Sequence, residues 1–129
     1  MKVVPMDMGV CGVEQLMYAG NVAFDTEGID AGVELCKVPA HTIITKAVAV
    51  VKTAFNAGTT NVLTVGANSD VDDLLGSGDI TEGTKGAYSK NNFVQCDAKT
   101  AVKAKFTQTG TEATAGEAEI YLFVVRIPE

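Results

Sequence analysis

The run TIITKAVAVVKTAF at residues 42–55 restricts the fold more than any other part of the chain. Its density of Thr, Ile and Val stiffens the side chains at χ1, which disfavours a helix and suits a pleated surface. The flanking VPA and NAGTTN are turn chemistry, so the spacing predicts a strand and not the helix that such a length would also permit. Strand alternation puts Ile44, Val48 and Val50 on one face with Lys46 and Lys52. Ile43, Ala47, Ala49, Val51 and Phe55 share the other, drier face.

The rest of the chain repeats the same period in shorter runs. YAGNVAF (18–24) leads through DTEG to IDAGVELCKV (29–38), where Pro39 ends the run because it has no N–H to donate. NVLTV (61–65), FVQCDA (93–98), AVKAKF (101–106) and EAEIYLFVVRI (117–127) follow, and residues 81–92 read as a polar, glycine-containing loop. AVKAKF alternates cleanly, with Val102, Ala104 and Phe106 inward and Lys103 and Lys105 outward. The last run is apolar on both faces: Ala118, Ile120, Leu122 and Val124 on one, Tyr121, Phe123, Val125 and Ile127 on the other. It is expected to lie centrally in its sheet or beneath a neighbouring subunit.

Only 6% of the residues are aromatic and Trp is absent, so Val, Ala, Leu and Ile must supply the core. Recurrent amphipathic helices, which a βαβ fold needs, are missing. The fold class read from these runs is all-β, an antiparallel, jelly-roll-like β-sandwich with one short helical turn near 69–76. Residues 1–17 lack clear periodicity, with Pro5, Gly9 and Gly12 against a helix, and read as an N-terminal arm. Residues 18–129 read as a single sandwich domain, and a chain of 129 residues can bury roughly two-thirds of its unfolded surface.

Ten basic against 16 acidic residues give a formal charge of −6, without a Lys/Arg cluster to neutralise phosphates; nucleic acid is not an expected partner. Nor is a membrane, because no apolar run approaches the roughly 20 residues of a spanning helix. The first residues, MKVVPMDMGVCGVEQLM, have no continuous apolar core of the signal-peptide kind, so the expectation is a protein made and initially kept in the cytosol. Cys11, Cys36 and Cys96 are odd in number and widely spaced, which speaks against a disulfide framework and for packing as small hydrophobes.

The stretch GANSDVDDLLGSGDI (66–80) concentrates carboxylates. Asn68, Asp70 and Asp72 alternate as in an EF-hand loop, but Asp73 stands where Gly is required and Asp79 where Glu should be. The preferred reading is a capped helical turn: Ser69 as N-cap, Asp72 completing a capping-box-like pair, Leu74 and Leu75 packing, and Gly76 or Gly78 ending the turn. A calcium site outside the EF-hand pattern, from Asp70, Asp72, Asp73 and Asp79, is the alternative. Any Ser/His/Asp or Cys/His arrangement would rest on His41, the single histidine, which is read as a surface turn residue. One His without a close Cys pair does not make a zinc site, and no glycine run has phosphate-loop spacing. No catalytic residue and no cofactor is expected.

The order of short words from VPAHTIITKAVAVVKTAF through LTVG, DVDDLL and GDI to GTKGAYS resembles a group of small tailed-phage virion proteins over about residues 38–89. The closing AEIYLFVVRI resembles them as well. The resemblance implies a non-enzymatic β-sandwich head-decoration or head-associated protein, oligomeric and commonly trimeric, on the capsid exterior. It implies other virion proteins, including the major capsid protein, as partners, with assembly in the host cytoplasm. On the residues themselves, Tyr121, Phe123 and Val125 either meet a symmetry mate or are covered within the monomer. The apolar arm residues Val3, Val4, Met6 and Met8 are candidates to dock on a neighbouring subunit or the shell. The competing function is a receptor- or carbohydrate-binding tail-tip or fibre module, with the loop at 81–92 as its candidate site.

Overall fold

A computed structural model describes residues 13–127, which form seven strands and no helix. They are β1 (Glu14–Ala23), β2 (Val33–Val38), β3 (Thr42–Thr53), β4 (Thr60–Gly66), β5 (Gly86–Cys96), β6 (Thr100–Thr109) and β7 (Glu117–Arg126). Sheet A has the order β1-β7-β3-β5 and sheet B the order β2-β6-β4, with every neighbour antiparallel. The pairing is nested: β1 with β7, β2 with β6, β3 with β5. This is the winding of a jelly roll, the antiparallel sandwich expected from the strand runs, here one strand short of the usual eight.

The core lies between the sheets. Sheet A contributes Ala19, Val22, Ile44, Ala47, Ala49, Val51, Ala118, Ile120, Leu122 and Val124, and sheet B contributes Val38, Leu63, Val65, Val102, Ala104 and Phe106. Phe55 and Phe106 close one end as a tilted pair, with ring centroids 4.8 Å apart. The sidedness expected for β3 holds for Ala47, Ala49 and Val51 but fails at its start. A bulge between Ile44 and Lys46 adds one residue, so Ile44 is fully buried with Ala47 while Ile43 turns outward. Strict alternation could not show this, because a single extra residue exchanges the two faces.

Two boundaries differ from the sequence reading. β1 begins already at Glu14, and β5 begins at Gly86, so most of the expected 81–92 loop is strand. β5 lies at the edge of sheet A and its residues 89–91 are all exposed, so the sequence AYSKNN there carries no apolar alternation.

The expected helical turn near 69–76 is not formed. Asn68, not Ser69, is the capping residue: its Oδ1 accepts the Asp72 N–H at 3.0 Å and its amide donates to Asp72 Oδ1 at 2.9 Å. Val71 adopts φ 57°, which interrupts a right-handed turn. What prevails over local helix formation is the open edge of β4, where an eighth strand would pair. Val65 exchanges backbone hydrogen bonds with Leu75 at 2.9 Å in both directions, an isolated antiparallel bridge at that edge. Farther along, the buried Glu82 carboxylate accepts the Leu63 N–H at 2.8 Å. The segment between β4 and β5 thus meets the edge amides without forming a full strand, and its Leu74, Leu75 and Ile80 complete the core.

Glu82→Ala would leave the Leu63 amide buried without an acceptor. It is expected to lower stability by about 1–3 kcal/mol in urea unfolding, with Glu82→Gln, which retains an acceptor, losing clearly less.

Candidate interaction face

The outer face of sheet A is built from four strands whose register places apolar side chains in rows. One row runs Leu16, Phe123, Lys46, Asn91; the next runs Tyr18, Tyr121, Val48, Ser89. Beyond them, Val125 is paired with Ile43 at one end and Glu119 with Val50 at the other. Leu16 is 60% exposed, Tyr18 54% and Phe93 76%, whereas Ile44, Ile120, Leu122 and Val124 of the opposite face of this sheet are buried. Tyr121, Phe123 and Val125 are half-buried by their neighbours on β1 and β3. The central position expected for the last run is observed, and its second face remains accessible on the outside of the sandwich.

Polar groups on this face are matched within it. Lys52 Nζ lies 3.2 Å from Glu119 Oε1, and the same carboxylate oxygen accepts the Tyr121 hydroxyl at 3.2 Å. The hydrogen bond and charge of Glu119 raise the Lys52 ammonium above its ordinary value, and partial burial, followed by the bond to Glu119, raises the Tyr121 phenol. Lys46 Nζ stands 5.4 Å from the Phe123 ring centroid, Glu14 accepts the Thr45 hydroxyl, and Asn21 donates to Glu117 at 3.1 Å. Tyr18 and Tyr121 pack with centroids 5.4 Å apart and planes at 59°. The face is therefore apolar at its centre, with one ion pair, Lys52 to Glu119, and with Glu14, Glu117 and Lys46 held by a hydroxyl, an amide and a ring.

The sequence reading reached this face through Tyr121, Phe123 and Val125, counted Leu16 with the N-terminal arm, and missed Tyr18, Ile43, Val48, Val50 and Phe93. The signal for β7 was its two-sided apolarity; the others join only because β1 and β3 flank β7 and β5 flanks β3, an order that local periodicity does not encode. Val3, Val4, Met6 and Met8 lie outside the described residues.

The four aspartates of the calcium alternative are directed to separate tasks. Asp72 pairs with Asn68, Asp73 Oδ1 accepts the Ala67 N–H at 2.7 Å, and Asp79 Oδ2 accepts the Gly76 N–H at 2.7 Å and faces Lys90 Nζ at 3.6 Å. Asp70 is exposed. Among the described residues no three His, Cys, Asp or Glu side chains are grouped as a metal site. His41 adopts φ 61° in the turn between β2 and β3, its N–H donating to Cys96 O at 2.7 Å and its carbonyl accepting from Ile127 at 2.9 Å. Cys96 is buried, and burial, reinforced by the charge of Glu34, pushes the Cys36 thiol up, away from the nucleophilic thiolate form.

The fold is that of a jelly-roll sandwich with one outer sheet face suited to burial against another surface. No protein-family model matches the chain, and no curated protein matches it. Among solved structures, it is similar to a chain of the cyanophage Pam1 capsid asymmetric unit, with TM-score 0.69 and 19% identity over 99% of this chain and 94% of that one. It is also similar to a chain of the acid-stable capsid structure of the Helicobacter pylori bacteriophage KHP30, with TM-score 0.53 and 14% identity over 91% of this chain and 100% of that one. This fold is thus shared with chains of two phage capsid structures.

Because Phe93 is exposed while Phe106 is 1% exposed in the core, the two should respond oppositely to truncation. Phe93→Ser is expected to change unfolding free energy by no more than about 0.5 kcal/mol, and Phe106→Ala to lower it by about 3–5 kcal/mol, both read from denaturant titrations followed by circular dichroism.

Proposed function

We propose that this chain is a non-enzymatic phage virion structural protein that decorates or stabilises the capsid as an oligomer, in the form of a trimer, on the capsid exterior. The observation that carries the reading is the outer face of sheet A: four strands wide, apolar at its centre, and with its polar groups engaged within the face. An acidic chain repels its own copies over most of its surface, and a face with an apolar centre is where two surfaces approach at the least electrostatic cost. Exposed apolar patches of this kind mark interaction sites. The shared fold with phage capsid chains supports a virion setting, and the matched words around LTVG, DVDDLL and GDI support it independently. The partners in this reading are further copies of the chain and the major capsid protein, with assembly in the host cytoplasm.

The receptor- or glycan-binding alternative draws less support, because its candidate loop at 81–92 is largely edge strand. Of the four aspartates of the calcium alternative, Asp73 and Asp79 accept backbone N–H groups of the segment that covers the β4 edge, and Asp72 accepts the Asn68 amide.

Light scattering of the full chain is expected to give three times the 13.4 kDa chain mass, unchanged between calcium and chelator. Leu16→Asp with Phe93→Asp should weaken association by about tenfold or more, since each places a charge in an apolar interface, while leaving the far-ultraviolet spectrum intact. The same pair should lose binding to purified heads in negative-stain electron microscopy. A monomer at every concentration would remove the oligomeric part of the reading, and undiminished head binding by the Asp variants would remove the assigned face.

A further inference from the structure

At the end of the sandwich where β1 begins, Leu16, Met17, Pro39 and Val124 line a cleft of about 350 Å³ together with Lys37 and Arg126. Both cations are exposed. Among the described residues the ion pairs are Lys52 with Glu119 and Lys90 with Asp79, and neither cleft cation pairs with a described carboxylate. A largely apolar floor with two cations at its rim suits a short extended segment that carries one carboxylate between apolar side chains.

The chain contains such a segment ahead of the described residues. Met6-Asp7-Met8 holds the single acidic residue of positions 1–12, and methionine adapts to irregular apolar gaps. We infer that the Met6-Asp7-Met8 segment of one copy seats in this cleft of a second copy, with the Asp7 carboxylate between Lys37 and Arg126. The inference rests on the oligomeric reading above and names the contact that completes it.

Three features favour a second copy over the same chain. First, Glu14 pairs with Val125 near the C-terminal end of β7, so the described chain begins at the end of the sandwich where the cleft opens. Five residues lie between Asp7 and Val13, and the six Cα–Cα steps give an extended reach of roughly 20 Å. Occupying its own cleft would require the chain to reverse within that span, whereas delivering Asp7 to a neighbour does not. Second, Leu16 belongs both to the cleft and to the outer face of sheet A, so an arm received there continues the proposed interface. Third, four strands at about 4.8 Å spacing and about 30 Å length offer roughly 600 Å², short of the roughly 800 Å² per partner of a stable interface. An exchanged arm supplies the difference. A head-to-tail donation from each copy to the next closes into a ring, which is compatible with a trimer.

The test is a charge exchange in the full chain, read by sedimentation equilibrium with thermal unfolding as the folding control. Asp7→Lys alone, and Lys37→Glu with Arg126→Glu, are each expected to weaken association by about tenfold or more. All three changes in one chain should recover association to within about threefold of the natural chain, because the reversed carboxylates again meet an opposite charge. Association unaffected by Asp7→Lys, or no recovery in the combined variant, overturns the inference. A lowered melting midpoint in Asp7→Lys with unchanged association would mean that the arm occupies its own cleft, and also overturns it. If the Leu16→Asp, Phe93→Asp chain dissociates while the charge variants do not, only the arm contact fails; a natural chain that is monomeric at every concentration fails both readings.

Discussion

The pairing of β7 against both β1 and β3 holds the rest of the molecule in place. β7 is the last strand of the chain, yet it lies inside sheet A, and its register with β3 runs from Glu117 opposite Thr53 to Arg126 opposite Thr42. One face of this strand, Ala118, Ile120, Leu122 and Val124, closes the core. The other, Glu119, Tyr121, Phe123 and Val125, forms the spine of the accessible face. A strand in this position needs apolar residues on both sides, which is why EAEIYLFVVRI lacks the polar alternation seen in β6. Sheet A depends on contacts between distant parts of the sequence, as nested jelly-roll pairing requires, and such non-local pairing costs loop-closure entropy before it returns any burial.

The chain solves its other edge problem by different means. Sheet B has three strands, and the edge of β4 is where the eighth strand of a full jelly roll would pair. The covering segment approaches so closely that a Cβ on Gly66 would stand 2.4 Å from the Asp72 nitrogen. Glycine at that position is therefore required by close approach rather than by an unusual φ. Leu75 supplies one bridge, Glu82 supplies a carboxylate to the Leu63 amide, and Asn68, Asp72, Asp73 and Asp79 accept hydrogen bonds from the turn itself or from its side chains. The concentration of carboxylates in this stretch follows from a segment that must satisfy its own backbone and an open strand edge without regular structure.

The two outer faces of the sandwich then differ in character. Sheet B presents Lys37 and Lys103 to solvent, beside partly covered Lys105, as an ordinary hydrated surface does. Sheet A presents Leu16, Tyr18 and Phe93 around the half-buried Tyr121 and Phe123, with Lys52 paired to Glu119 and Lys46 over a ring. Hydration explains the first face and not the second. A monomer gains nothing from keeping those aromatic and aliphatic groups outward, whereas an assembly gains their burial, at roughly 25 cal/mol for each Å² removed from water.

Local sequence chemistry alone determined the strand character of the chain: β-branched runs resist helix, Pro39 stops β2, and alternation in AVKAKF places Val102, Ala104 and Phe106 inward as observed. It also singled out β7 as a strand apolar on two sides. Tertiary structure decided the remainder. The bulge at Ile44 and Lys46 exchanged the faces of β3, because a one-residue slip costs little locally and is selected only by what the core needs to bury. Tyr88 to Asn92 became strand although their polarity suggested a loop, because an edge strand needs backbone partners more than apolar alternation. The local capping signal around Ser69 gave way to the open edge of β4, since unpaired edge amides cost more than one helical turn returns. Which strands lie beside β7, and hence which residues share its outer face, depended on pairings between residues on opposite ends of the chain, where short-range periodicity carries no information.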